Sequence, residues 1–394
     1  MKKESRKILI YLATIIFISA DLCAEGSLNQ KNFIKGNIID KTNCVREASE
    51  DEAAELSCAA INFTIENKEI LGEDRDLAAL AVSGILSLPE SYVETLSSEE
   101  KTKLSENFFT IYSIFADYTV KIAILNRITS LDIPHENFTT MLNNYIKTSN
   151  PSVENSAILK TSITVLAKIG NKDSFSILYN AYLDNSWNSY ISEIETAISE
   201  LSETSSEKLV EFIRMGSEVE CRRIFSLVMK NSQNSQIFRA EIAENVLLRT
   251  IYIVESTGSA NEELISLQLD SYDVLVRQKW TRSSKTALSF FELAQKEYLQ
   301  NVLHEENFIE VINGLPAVAP IESVSALSSY LSKLNKLKEK DSNAVSEPIV
   351  LSVISSLGAI GNKNAFDTLL AVTYFDYSDS VIAAARDALA KLKW

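Results

Sequence analysis

The segment Ile360–Leu392 repeats an earlier one, Ile169–Leu201, at a constant offset of 191 residues. Ile169-Gly170-Asn171-Lys172 returns as Ile360-Gly361-Asn362-Lys363. Phe175 returns as Phe366, Leu178 as Leu369, Ile191 as Ile382, Ala197 as Ala388 and Leu201 as Leu392. An offset that holds across all these pairs means that one helical unit is used twice. Repeated units of this size bury their apolar faces by stacking on their neighbours, so the repeat constrains the architecture before any local propensity does. Such a chain grows by adding units rather than by enlarging one core.

Composition agrees with helices. Apolar residues make up 46% of the 394, while glycine numbers only 10 and proline only 6. So little turn punctuation argues for long helices joined by short loops and against an all-β fold.

The first 24 residues read as an export signal. Lys2, Lys3, Arg6 and Lys7 form a basic n-region, and Ile8–Ala20 is an apolar run of 13 residues. A bilayer span takes about 20 apolar residues, so this run is too short for one. Ala20 and Ala24 are both small enough to precede a cleavage. Cys23 raises the alternative of a lipidated N-terminus, but bulky Leu22 stands where a small residue is expected, and simple cleavage is the preferred reading. An uncleaved anchor is the third option. No other apolar run is long enough to cross a membrane. Removing residues 1–24 takes away four basic and two acidic groups, which shifts the net charge from −15 to −17. Such a charge disfavours nucleic acid and anionic lipid as partners.

Beyond Cys23 there are three cysteines. Cys44 and Cys58 lie 14 residues apart and can close one small loop in an oxidising compartment, or both can remain buried thiols. Cys221 is left over and reads as a small hydrophobe in a helix.

The last unit is the best defined. Val353, Ile354, Leu357 and Ile360 share one helical face, and Gly358, Gly361 and Asn362 provide a stop. Phe366, Leu369, Leu370 and Val372 begin a second stripe. Val381, Ala384, Ala385, Ala388, Leu389 and Leu392 make a third helix, whose small residues admit a close neighbour, with Asp379 placed to cap it. Weaker copies put further junctions near residues 134, 170, 216 and 319 as well as 361. The interval 216–319 has room for two irregular units. Residues 25–45 are polar and read as an exposed leader, and Glu47–Glu66 as a first, capping helix. Loops are expected at Ser256–Asn261 and Glu339–Ala344. Residues 46–394 are thus expected to form one array of six to eight helix pairs.

The pattern Leu357-Gly-Ala-Ile-Gly361-Asn, then Ala365 and Leu369, then Asp379-Ser-Val381, Ala384-Ala385 and Ala388-Leu389, resembles HEAT repeats. It is most similar to the short bacterial kind also found in phycobilin-lyase-like proteins. The resemblance covers residues 345–394 and 154–201. One departure is that the arginine expected just after the valine is Ile382 here, and Ile191 in the earlier copy. The resemblance implies an all-α fold, an α-solenoid in which antiparallel helix pairs form a right-handed superhelix. In such arrays the second helices line the concave face.

Little in the chain points to chemistry. His135 and His304 belong to units far apart and each reads as a polar helix start; no metal-ligand spacing is present, and no metal or cofactor is implied. The Ser-x-x-Lys matches at Ser98–Lys101 and Ser205–Lys208 read as capped helix starts. No nucleophile elbow or glycine-rich phosphate loop occurs. Trp187 and Tyr190, with Tyr179 and Tyr182 nearby, fall at the same edge of one unit as Tyr374, Phe375 and Tyr377 of another, either as a binding edge or as loop-end plugs. Polar positions on the second helices, Ser192, Glu193, Glu200, Arg386 and Lys393, are candidates for contact with a protein partner. The expectation is therefore a non-catalytic protein-binding or scaffold protein, exported to the periplasm or outer envelope of a bacterium. An enzyme or enzyme accessory of the lyase type, and a structural spacer, are the alternatives.

Overall fold

The computed structural model describes residues 27–341 and 343–393. The expected export signal, with Ala20, Cys23 and Ala24, lies outside the described residues. Two compact units meet between Leu201 and Ser202. The first holds α1 (Leu28–Lys35), α2 (Ile38–Arg46), α3 (Glu50–Leu71), α4 (Arg75–Ser87), α5 (Glu90–Thr95), α6 (Ser98–Ile114), α7 (Tyr118–Ile128), α8 (Glu136–Thr148), α9 (Ser156–Ile169), α10 (Lys172–Leu183) and α11 (Ile191–Leu201). The second holds α12 (Ser206–Met215), α13 (Glu218–Lys230), α14 (Gln236–Thr257), α15 (Glu262–Gln278), α16 (Ser284–Leu299), α17 (Glu305–Val318), α18 (Ser323–Lys340), α19 (Glu347–Ile360), α20 (Phe366–Val372) and α21 (Asp379–Ala390). Among the described residues there is no strand, only a single bridge between Asn362 and Lys393. The protein is all-α.

Polar side chains start these helices. Ser49 with Glu52, Ser97 with Glu100, and Ser217 with Glu220 form capping boxes that satisfy otherwise orphaned amides. Between the caps, packing alternates. In the first unit α2, α4, α7, α9 and α11 each pack on the next of that series, while α3 and α6 pair, as do α8 and α10. In the second unit α13, α15, α17, α19 and α21 form one continuous series, with α12, α14 and α16 in another. Each unit therefore has two layers, and a helix meets the one two places further along, or three places where the short α5 intervenes. Side-chain bonds repeat that stride in the second unit, where Tyr272 to Val311 and Tyr377 to Asn335 bridge 39 and 42 residues, while in the first unit Thr139 of α8 donates to Ile169 at the end of the adjacent α9.

The middle of the second unit shows how closely these helices approach. Gly314 has no side chain, and a Cβ there would lie 2.8 Å from Tyr272 Cε1 and 2.6 Å from Val276 Cγ2. That space lets the Tyr272 hydroxyl donate to the Val311 carbonyl at 3.0 Å. Two residues on, Pro316 sits inside α17. Having no amide hydrogen, it cannot serve the Ile312 carbonyl one turn back. Ser356 of α19 donates to that carbonyl instead, at 3.3 Å, and Ser352 bonds Asn313 at 2.8 Å. So α17 is bonded to both of its layer neighbours.

The junctions anticipated near 134, 170, 216, 319 and 361 all fall in turns between helices. The repeated tetrapeptide does not adopt one backbone, however. Gly361 is left-handed (φ 68°), whereas Gly170 is extended (φ −69°, ψ 170°). What both copies share is the asparagine: Asn171 and Asn362 each cap the element that follows. A close approach also occurs as the small residues suggest, since a Cβ on Gly358 would lie 2.9 Å from that of Ala388. The last helix is preceded by Ser378 in the cap position rather than by Asp379, which instead stands in its first turn.

One expectation fails on physical grounds. Residues 27–45 are not an exposed leader. They form α1 and α2, and Phe33, Cys44 and Val45 pack with Leu56, Ala60 and Leu80. Lys41 holds the pair together. Its ammonium donates to the carbonyls of Phe33 and of Ile34 at the end of α1, and lies 5.0 and 5.1 Å from the ring centres of Phe33 and Phe63. A lysine that looks solvating in sequence is buried here as a helix C-cap. The short helices α1, α2 and α5 also take the helix number beyond that of six to eight pairs.

Two substitutions separate the interactions around α17. Ser356→Ala orphans the Ile312 carbonyl and is expected to cost about 1–3 kcal/mol. Tyr272→Phe leaves Val311 with its helical donor and is expected to cost only about 0.5–1.5 kcal/mol. Urea unfolding followed by circular dichroism checks the order; equal losses would mean that Ile312 finds another donor.

Candidate functional site

The two units divide the candidates for partner contact, with Ser192 exposed at the start of α11. Trp187 and Tyr190 lie in the short 3-10 turn Asn185–Tyr190 that leads into α11, held at its start by the Asp184 side chain. Their rings meet edge to face at 5.9 Å. They are only 5% and 4% exposed, so they plug the end of their helix pair and offer no face to a partner. Tyr377 is likewise buried, whereas Tyr374 is exposed. Glu193 is half-buried and pairs with Lys160 at 2.8 Å; the Lys160 ammonium beside it holds its carboxyl below the usual range. Glu200 is exposed on α11. In the second unit Arg386 and Lys393 are exposed, and the Lys393 amide donates to the Gly361 carbonyl at 2.8 Å.

Cys44 and Cys58 are both free thiols, as is Cys221. Cys44 faces the α1–α2 core, while Cys58 on α3 turns toward the Tyr92 hydroxyl at 4.0 Å, so no loop is closed between them. Cys58 and Tyr92 line a groove of ≈ 220 Å³ together with Asn62, Glu100, Lys103 and Asn107. Burial pushes the Cys58 thiol and the Tyr92 phenol upward, away from their reactive forms. Both histidines occupy helix N-cap positions, His135 before α8 and His304 before α17.

Glu297 on α16 is the most strongly perturbed carboxyl among the described residues. It is 2% exposed, and burial pushes its carboxyl up to about 7; the Gln268 amide from α15 offsets this only in part. A carboxyl tuned to neutrality is a feature of general acids and bases. Glu297 lines none of the three grooves described in this section.

Two open grooves flank the α12–α13 turn. Gly216 ends α12, Ser217 caps α13, and the Arg249 Nε of α14 donates to the Gly216 carbonyl at 2.8 Å. One groove, of ≈ 480 Å³, runs between the starts of α13 and α15 and is lined by Glu218, Val219, Arg222, Arg223, Glu262, Glu263 and Ser266. Its lining carries charges of both signs, and Arg222 is already engaged. Arg222 pairs with Asp270 at 2.5 Å and donates to the Glu263 carbonyl at 2.9 Å.

The other groove, of ≈ 540 Å³, lies between α12 and α14 and is lined by Arg214, Met215, Asn245, Leu248, Arg249 and Tyr252. It contains two guanidinium groups and no carboxylate. Met215 is 81% and Tyr252 59% exposed, and Leu248 is exposed between them. The Arg249 guanidinium lies 5.2 Å from the centre of the Tyr252 ring. Arg214 has no ion pair among the described residues. Met215 is not among the expected contacts, and Leu248–Tyr252 fall in the interval 216–319, with its room for two irregular units. The available signal was the spacing Asn245, Leu248, Arg249, Tyr252, which puts all four on one face of a helix.

No helix among the described residues is long and apolar enough to cross a membrane. Comparison with protein-family models, with curated proteins and with solved structures finds no match to this chain.

Two outcomes follow from burial. Trp187→Ala is expected to destabilise the first unit by about 3–5 kcal/mol, read by chemical denaturation, as for other buried aromatics. A loss below about 1 kcal/mol would return Trp187 to the surface candidates. For Glu297 the folded state binds its proton more tightly than the unfolded chain does. Its contribution to stability is therefore full below pH 4.5 and is lost as the pH rises through about 7. Glu297→Gln is expected to raise the melting temperature at pH 8 and leave it nearly unchanged at pH 4. An equal effect at both pH values would refute the shift.

Proposed function

We propose that the chain is a HEAT-like α-solenoid that acts as a non-catalytic binding or scaffold protein, exported to the bacterial cell envelope. The observation that carries this reading is the alternating two-layer packing within each unit, with side-chain bonds in the second unit recurring at a stride of about one helix pair. Stacked helix pairs of this kind present long, continuous faces to partners. The turn chemistry supports the same reading, because each of the two best copies ends in a capping asparagine. Export rests on the basic n-region and the apolar run Ile8–Ala20.

Binding is favoured over chemistry by the state of the reactive groups. Burial leaves Cys58 and Cys221 in their unreactive thiol forms, the latter pushed up to about 11, and it encloses Glu297. Exposed apolar and aromatic side chains sit beside open grooves instead. Ser192, Glu200, Arg386 and Lys393 are the exposed members of the candidate contacts.

Affinity capture from the cell-envelope fraction of the source organism, with the full chain as bait, tests the proposal. One partner recovered in stoichiometric amount, and recovered less by Glu200→Lys or Arg386→Glu bait, is the expected result. Recovery of no protein above an unrelated acidic bait would sink it.

A further inference from the structure

The α12–α14 groove stands out by its sign. The chain carries −15 overall, and the neighbouring groove balances its own arginines with glutamates. Between α12 and α14 the lining holds Arg214 and Arg249 and no acid. The nearest carboxylates along that face of α14, Glu241 and Glu255, stand about a turn beyond either end. A positive groove in an acidic surface selects for a short negative ligand and repels a long polyanion.

The groove is also partly apolar. Met215, Leu248 and Tyr252 expose a continuous choice of thioether, aliphatic and aromatic surface. Tyrosine, methionine and arginine are the residue types enriched where proteins bind each other. Arg249 is held in advance: its Nε donates to the Gly216 carbonyl and its guanidinium carbon lies 5.2 Å from the centre of the Tyr252 ring. An arginine fixed in this way loses little freedom when a carboxylate arrives, and its fork still offers donors.

Resting on the reading of this protein as a binding scaffold, we propose that the α12–α14 groove docks a short acidic segment of another protein. That segment sets one large apolar side chain on Met215, Leu248 and Tyr252 and places carboxylates against Arg214 and Arg249. Nucleic acid is the poorer fit because two arginines neutralise too few phosphates to overcome the repulsion of the whole chain. An anionic membrane fails on the same charge argument.

The test uses the full chain and a phage-displayed library of random dodecapeptides. Enriched peptides are expected to be acidic and to carry a large apolar residue. Their affinity, read by fluorescence anisotropy, is expected to fall as salt rises. It is also expected to fall at least about tenfold with Arg214→Glu, and likewise with Met215→Asp. Both side chains are exposed, and circular dichroism verifies that each variant keeps its helices. Absence of enrichment, enrichment of neutral or basic peptides, or affinities unchanged in both variants would overturn the proposal. So would binding of single-stranded DNA or phosphatidylglycerol vesicles that the variants abolish while no peptide binds. A dimer of the protein alone, seen in sedimentation and dissociated by Arg214→Glu, would assign the groove to a second copy and overturn it too. A captured cellular partner indifferent to both variants overturns the groove assignment and leaves the scaffold reading standing. Peptide binding at the groove with no cellular partner does the reverse.

Discussion

Because Pro316 brings no amide hydrogen into α17, the Ile312 carbonyl must find its donor outside its own helix, and the Ser356 hydroxyl that serves it belongs to the next helix of the same layer. On the other side, Tyr272 reaches the Val311 carbonyl only because Gly314 leaves room for its ring. Burying a backbone polar group without a partner is costly, so these contacts require α15, α17 and α19 to keep one relative position. Apolar packing alone tolerates sliding; a carbonyl that depends on a hydroxyl in a neighbouring helix does not. The register of the second unit is set here, and the grooves at its surface inherit that register.

Much of the architecture was legible in the primary structure, and the reason is periodicity. Five junctions could be placed because glycine, asparagine and proline punctuate regular apolar stripes, at Gly170-Asn171 and Gly361-Asn362 most clearly. Other features were illegible for equally definite reasons. Lys41 looks like a solvated charge until its ammonium is seen between two rings and two carbonyls. Trp187 and Tyr190 could be read as a binding edge or as loop-end plugs because position in a repeat does not reveal which way a ring turns, and their burial makes them plugs. Met215 lies in phase with Leu209 and Phe212, yet it is the last residue of α12, where the helix runs out before the stripe is covered. The groove beside it joins two helices separated by a third, and no window on the sequence contains both.

Among the described residues Glu297 stands apart from the three grooves, while Cys58 and Tyr92, whose groups burial also pushes up, line one of them. Glu297 is enclosed between helices, while the best open surfaces are lined by ordinary charges, aromatics and aliphatic side chains. Such surfaces gain their selectivity from shape and from the sign of local charge. In a protein with a large acidic excess, a small basic patch carries more information than the same patch would on a neutral one.

The joint between paired helices has a wider consequence. The same four letters, Ile-Gly-Asn-Lys, lead once through an extended glycine into α10 and once through a left-handed glycine into a 3-10 turn. Glycine is the residue that permits both exits at little steric cost, and asparagine secures whichever element follows. A joint with that latitude can be copied into a new place in the chain without being rewritten, since the receiving neighbours choose its angle. Lengthening by duplication then costs few compensating changes at the joints, and the surfaces of the copies are left free to diverge.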